Sequence, residues 1–172
     1  MNQLFFLLLS GCTIFLPHQE NCLIKKGSAY FRSTIPGHVS KKTLDESGKE
    51  IDRPIKKMST YFFYIELNKD CNIQVSKIWV DGKAYKVNQE EITKTPVIIQ
   101  PSYPGTHPDT LVMLTSNKVL RLQQKELLQI KPDKKTTNKL NGAKVLVEYN
   151  GKSRTEYYSI KEIKRLVPLV LQ

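Results

Sequence analysis

Residues 61–65 of this chain read YFFYI, inside the longer run STYFFYIEL at 59–67. Aromatic and β-branched side chains crowd a helix and suit a pleated strand. A strand that is apolar on both faces must be covered on both faces, so this run belongs at the centre of a sheet.

The rest of the chain repeats the theme in shorter pieces. Residues 29–35 (AYFRSTI) form an expected strand ended by Pro36-Gly37, and residues 38–57 read as a long polar loop. Residues 75–87 form a hairpin around Asp81-Gly82, a two-residue turn signal. Residues 96–99 are a short strand, and 100–109 a loop with three prolines. Residues 111–115 and 119–123 suit a second hairpin around Ser116-Asn117-Lys118. Residues 125–130 fit a helical turn or a strand equally, and 131–142 read as a basic polar loop. Residues 143–160 form a last hairpin around Asn150-Gly151, and 163–171 close the domain with Pro168 marking an edge strand. Short strands at close spacing with almost no helical period predict an all-β fold. The expected architecture is an antiparallel β-sandwich, immunoglobulin-like or related, with a small β-barrel as the alternative.

Two hairpins can be tested for register. A two-residue loop at Asp81-Gly82 gathers Ile78, Val80, Tyr85 and Val87 on one face and leaves Trp79 on the other, between Lys77 and Lys86. A bulged turn would instead carry Trp79 inward. The first concentrates more aliphatic side chains on one face and is preferred. For the last hairpin, a three-residue loop with Gly151 as a bulge pairs Glu148 with Lys152 and Lys144 with Glu156, and is preferred on that charge matching.

A different pattern occupies the N-terminus. Residues 4–9 (LFFLLL) are a compact apolar run, followed by Ser10, Gly11 and Cys12. The stretch Leu9-Ser10-Gly11-Cys12 resembles a lipobox, the cleavage and lipidation motif of bacterial lipoproteins. The resemblance covers only the first dozen residues. It implies a signal peptide at 1–11, a lipidated tether at 12–27 beginning at a Cys12 modified through its thiol, and a single β domain at 28–172. Palmitate is among the acyl groups so expected. It further implies a cell-envelope protein of a Gram-negative bacterium, held at the outer membrane by its lipid. A secreted or soluble periplasmic protein is the alternative. Cys22 and Cys71 are then a candidate disulfide, which would close a loop of about 48 residues and stabilise the domain by roughly 3–4 kcal/mol. Two separate buried thiols are the equal alternative.

Lys and Arg total 27 against 16 Asp and Glu, for a formal net charge of +11. Such a surface favours anionic partners, here anionic envelope components or another envelope protein. Nucleic acid is not expected, because no binding motif supports it and the resemblance implies an exported chain. No fingerprint of a nucleotide, metal or hydrolase site occurs, so no cofactor, metal or catalytic residue is assigned. His107 and Asp109 offer two metal ligands where a site needs three or four. The candidate binding residues are Trp79, if its indole is open for stacking on a sugar or base, and Tyr103 and His107 in the stiff loop SYPGTHP at 102–108. Lys131, Lys134, Lys135 and Lys139 form a basic cluster suited to an anionic membrane surface. Together these features predict a lipid-anchored accessory protein with a binding or structural role. An envelope hydrolase with an unrecognised site is the alternative.

Overall fold

The structure is a computed structural model that describes residues 22–35, 42–52, 58–101, 105, 107–151 and 154–170. Strand β1 spans Ile24–Ile35, and the short β2 (Lys42–Leu44) and β3 (Glu50–Asp52) form a hairpin. Strand β4 (Met58–Leu67) precedes the hairpin of β5 (Gln74–Val80) and β6 (Lys83–Ile92). Strands β7 (Val97–Ile99) and β8 (Asp109–Val112) make a second small ribbon. Then come β9 (Lys118–Leu128), helix α1 (Lys134–Leu140), β10 (Val145–Asn150) and β11 (Thr155–Ile160). Two short strands, β12 (Ile163–Arg165) and β13 (Leu169–Val170), end the described chain.

The all-β expectation holds. The main sheet runs β11-β10-β5-β6-β9-β4-β1-β12, with β13 also on β1, and curls until it is nearly closed into a barrel. It is mixed rather than purely antiparallel, because β12 and β13 lie parallel to β1. The closure brings β11 round to the first residues of β1, which lie ahead of its pairing with β12 at Ala29. Gly27 marks the approach. A Cβ built there would sit 2.6 Å from Tyr158 Cε1 and 3.0 Å from Ile160 Cγ1. Among the described residues no backbone ladder joins β1 to β11, so the seam closes by side-chain packing.

Three apolar clusters follow from this geometry. The barrel interior holds Phe63, Ile65, Leu67, Ile78, Val145 and Val147, all fully buried. The outer face of β1 and β4 is covered by the β7–β8 ribbon. There Tyr30 and Tyr64 pack with Leu111, Val112 and Leu166, and the Tyr30 hydroxyl donates to the Leu111 carbonyl at 2.6 Å. This second cover explains why β4 is apolar on both faces. A third cluster, Trp79, Ala84 and Leu146, lies on the outer face of β5, β6 and β10 with Leu140 of α1 packed on it.

Local chemistry sets the registers. Asp81 (φ 47°) and Gly82 (φ 78°) both take the left-handed conformation that a two-residue I′ turn requires, pairing Trp79 with Ala84 and Ile78 with Tyr85. The preferred register for this hairpin is therefore the observed one. In β5, the pairing with β10 slips between Glu148 and Tyr149, leaving Ser76 as an extra residue. This bulge lets Val75 and Ile78 both face the core, although they are three apart.

Several expectations are corrected. Residues 24–27, read as tether, already belong to β1. The expected loop 38–57 contains the β2–β3 hairpin. Residues 111–115 and 119–123 do not pair with each other. Instead β8 pairs β7, while β9 runs on to Leu128 between β4 and β6. The basic loop contains α1, capped by Asp133, whose carboxylate accepts the Thr136 N–H at 2.7 Å. The last hairpin has a different register, with Glu148 opposite Tyr157 and Tyr149 opposite Glu156. Glu148 is buried rather than solvated, because α1 covers that face and β5 supplies its cation.

Candidate binding cavity at the barrel mouth

At the end of the barrel marked by the β5–β6 turn, the interior opens into a cavity of about 380 Å³, a size that suits a small ligand. Its floor is aromatic. Phe31 of β1 is paired across the ladder with Tyr61 of β4, their ring centroids 5.2 Å apart, and Tyr61 stacks on Phe63 below it at 5.8 Å. Phe31 and Tyr61 are half-buried, whereas Phe63 is fully buried. The rings thus continue the core up to the opening.

Charge surrounds the floor. Asp81 comes from the β5–β6 turn and Lys144 from the residue before β10, with the Asp81 N–H bonded to the Lys144 carbonyl at 3.3 Å. Lys161 and Glu162 form the link between β11 and β12. Arg165 is brought beside Phe31 by the parallel β1–β12 register. Among the described residues none of these five side chains is ion-paired. Three cations and two carboxylates therefore face the opening with their charges uncommitted. Burial pushes the Tyr61 phenol above its ordinary range, and Asp81 and Tyr85 add to the rise. Tyr61 is consequently a hydrogen-bond donor at neutral pH and well above it.

A second cleft, about 370 Å³, lies on the other side of Tyr61. It opens where β4 and β9 part company after Phe63 pairs with Leu122. Ser59, Thr60, Gln123 and Gln124 line it together with Arg121, Leu122 and Lys125, so hydroxyl and amide groups share its surface with two cations. The two cavities share Tyr61 and nothing else.

The residues singled out in the sequence lie elsewhere. Trp79 is on the face expected for it, but only 2 % exposed, beneath α1, so its indole is not an open stacking surface. His107 is exposed in the connection before β8. Cys12 and Tyr103 lie outside the described residues. Cys22 packs against the apolar cluster that holds Cys71, with no disulfide between the two. Of the basic cluster, Lys134, Lys135 and Lys139 are on α1, with the Lys135 ammonium 5.4 Å from the centre of the Tyr157 ring. Among the described residues, no three His, Cys, Asp or Glu side chains gather to hold a metal ion, and no helix is long and apolar enough to cross a membrane.

The mouth residues escaped sequence reasoning for a physical reason. Phe31 and Tyr61 stand in apolar runs and look like core. Asp81 and Lys161-Glu162 stand in turns and look like solvated punctuation. Their convergence depends on the parallel return of β12 to β1, which leaves no local pattern; only the turn-borne charges next to aromatic strands hinted at it. A scan of protein-family models and searches of curated proteins and of solved structures found no match to this chain.

Proposed function

We propose that this chain is an exported, lipid-anchored accessory protein of the cell envelope, and that its β domain is a binding module acting through the barrel mouth. The observation that carries the binding role is the cavity of uncommitted charges around Phe31 and Tyr61. Unpaired cations and carboxylates held over an apolar floor have more to gain from a polar ligand than from each other. The net charge of +11 favours anionic envelope components as partners. The address rests on Leu9-Ser10-Gly11-Cys12, which supports cleavage before Cys12 and retention at the outer membrane. Stable attachment takes two or more acyl chains, since one binds a bilayer only marginally.

The test has two parts. Full-length protein made in a Gram-negative host should incorporate radiolabelled palmitate and fractionate with the outer membrane, and Cys12→Ala should do neither. An unlabelled wild-type chain sinks the anchored reading. Purified protein should sediment with isolated envelopes, and Lys144→Glu/Lys161→Glu/Arg165→Glu should reduce that cosedimentation severalfold. Equal cosedimentation of the two proteins sinks the role given to the mouth.

A further inference from the structure

The composition of the mouth narrows the ligand class. Resting on the binding role above, we propose that the cavity takes a sugar ring bearing an acidic group, as one unit of a longer glycan. The flat faces of Phe31 and Tyr61 suit the apolar C–H face of a pyranose. Lys144, Lys161 and Arg165 suit a carboxylate or phosphate on that ring, through charge-assisted hydrogen bonds. Asp81 and Glu162 decide between polyanions. They accept hydrogen bonds from sugar hydroxyls, yet they repel the closely spaced phosphates of a nucleic acid. A neutral sugar would leave three cations unanswered, and a simple anion would leave the rings and carboxylates unused.

The polar cleft beyond Tyr61 extends the same logic. Gln123, Gln124, Ser59 and Thr60 present donors and acceptors to hydroxyl groups of a neighbouring unit. Tyr61 lines both cavities and so links the two subsites. The shared chemistry has two sources in an envelope: an acidic polysaccharide, or the phosphorylated sugar headgroup of a glycolipid.

Calorimetric titration of the purified full-length chain separates them. The probes are tetragalacturonate, neutral maltotetraose, inorganic phosphate, and micelles of a glycolipid with a phosphorylated disaccharide headgroup. Saturable binding of tetragalacturonate is expected, weakened about tenfold by Phe31→Leu, which keeps apolar bulk but removes the ring. Lys161→Ala/Arg165→Ala should weaken it about tenfold or more and flatten its salt dependence. Binding of the glycolipid alone, with the same sensitivity to both variants, assigns the headgroup as the source. Binding of neither acidic probe overturns the proposal. So does equal binding of maltotetraose or phosphate, or affinity untouched by Phe31→Leu. Matched unfolding midpoints for the variants keep loss of fold apart from loss of the site. Failure here, with envelope cosedimentation still sensitive to the mouth charges, removes the acidic sugar and leaves the binding role standing.

Discussion

Glu148 offers the sharpest quantitative test of the fold. Its side chain is 10 % exposed and receives Lys77 Nζ at 2.8 Å. Ser76 Oγ donates to the same carboxylate at 3.3 Å and Trp79 Nε1 at 3.4 Å. All four groups lie on the face that α1 covers or borders. Lys77→Met removes the cation and leaves the carboxylate with two long neutral hydrogen bonds. A fully buried pair broken on one side costs about 3–5 kcal/mol, and an exposed pair about 0–1. Lys77 is 25 % exposed, so a loss of about 2 kcal/mol is expected. In a domain of this size that lowers the melting midpoint by roughly 4–8 °C. Glu148→Gln should cost about 1 kcal/mol, because it keeps an acceptor for Trp79 while Lys77 swings outward. Lys77→Met/Glu148→Gln removes both charges and should return to within about 1 kcal/mol of the wild type. Urea unfolding of the four proteins gives the coupling directly. A coupling below about 0.5 kcal/mol would refute the claim that this pair is desolvated beneath the helix.

Other expectations follow from single features. Gly27→Val should destabilise by about 1–3 kcal/mol in urea, and Gly27→Ala by less, because any Cβ meets Tyr158 and Ile160 at the seam; an unchanged midpoint for Gly27→Val would mean the seam is loose. The Tyr149 phenol is pushed up to about 12 by burial and by its hydrogen bond to Glu156. An unfolded tyrosine ionises near 10, so this contribution is complete below that pH and is lost as pH rises toward 12. Tyr149→Phe should therefore flatten the decline in stability across that window, and a slope identical to wild type would contradict the assignment. Cys22 and Cys71 share one cluster without a disulfide between them, so both should alkylate at once after denaturation without reductant; protein that resists alkylation until reduced would show that they pair.

The outcome at individual residues shows which information was local. Asp81-Gly82 dictated its turn, and the turn dictated the face of Trp79. The cover over that face was illegible. Residues 134–140 (KKTTNKL) are polar on nearly every side with two β-branched threonines, and only Thr136 and Leu140 turn inward. Such a segment carries no helical apolar stripe, and it folds on the Asp133 cap and the surface beneath it. The last hairpin failed in register for a related reason. Charge matching within the hairpin favoured solvating Glu148, whereas its cation sits on β5, a strand some 70 residues away in sequence. The apolar run of β4 points to the central position it takes between β9 and β1, but the β7–β8 ribbon that covers its outer face leaves no local signal. The mouth was least legible of all, since its charges meet only after β12 returns alongside β1.

The β1 strand carries a mechanical consequence. Cys22 enters the domain two residues ahead of β1, which is laddered antiparallel to β4 from Ile24 to Thr34 and parallel to β12 and β13 on its other edge. If a ligand is held at Arg165 and Lys161 as proposed, a pull on the N-terminal end would run along this strand rather than across it. Ladder hydrogen bonds stand perpendicular to that line, so the load is shared by many bonds at once instead of opening them one by one. A tether attached here would load the β1 ladders in shear.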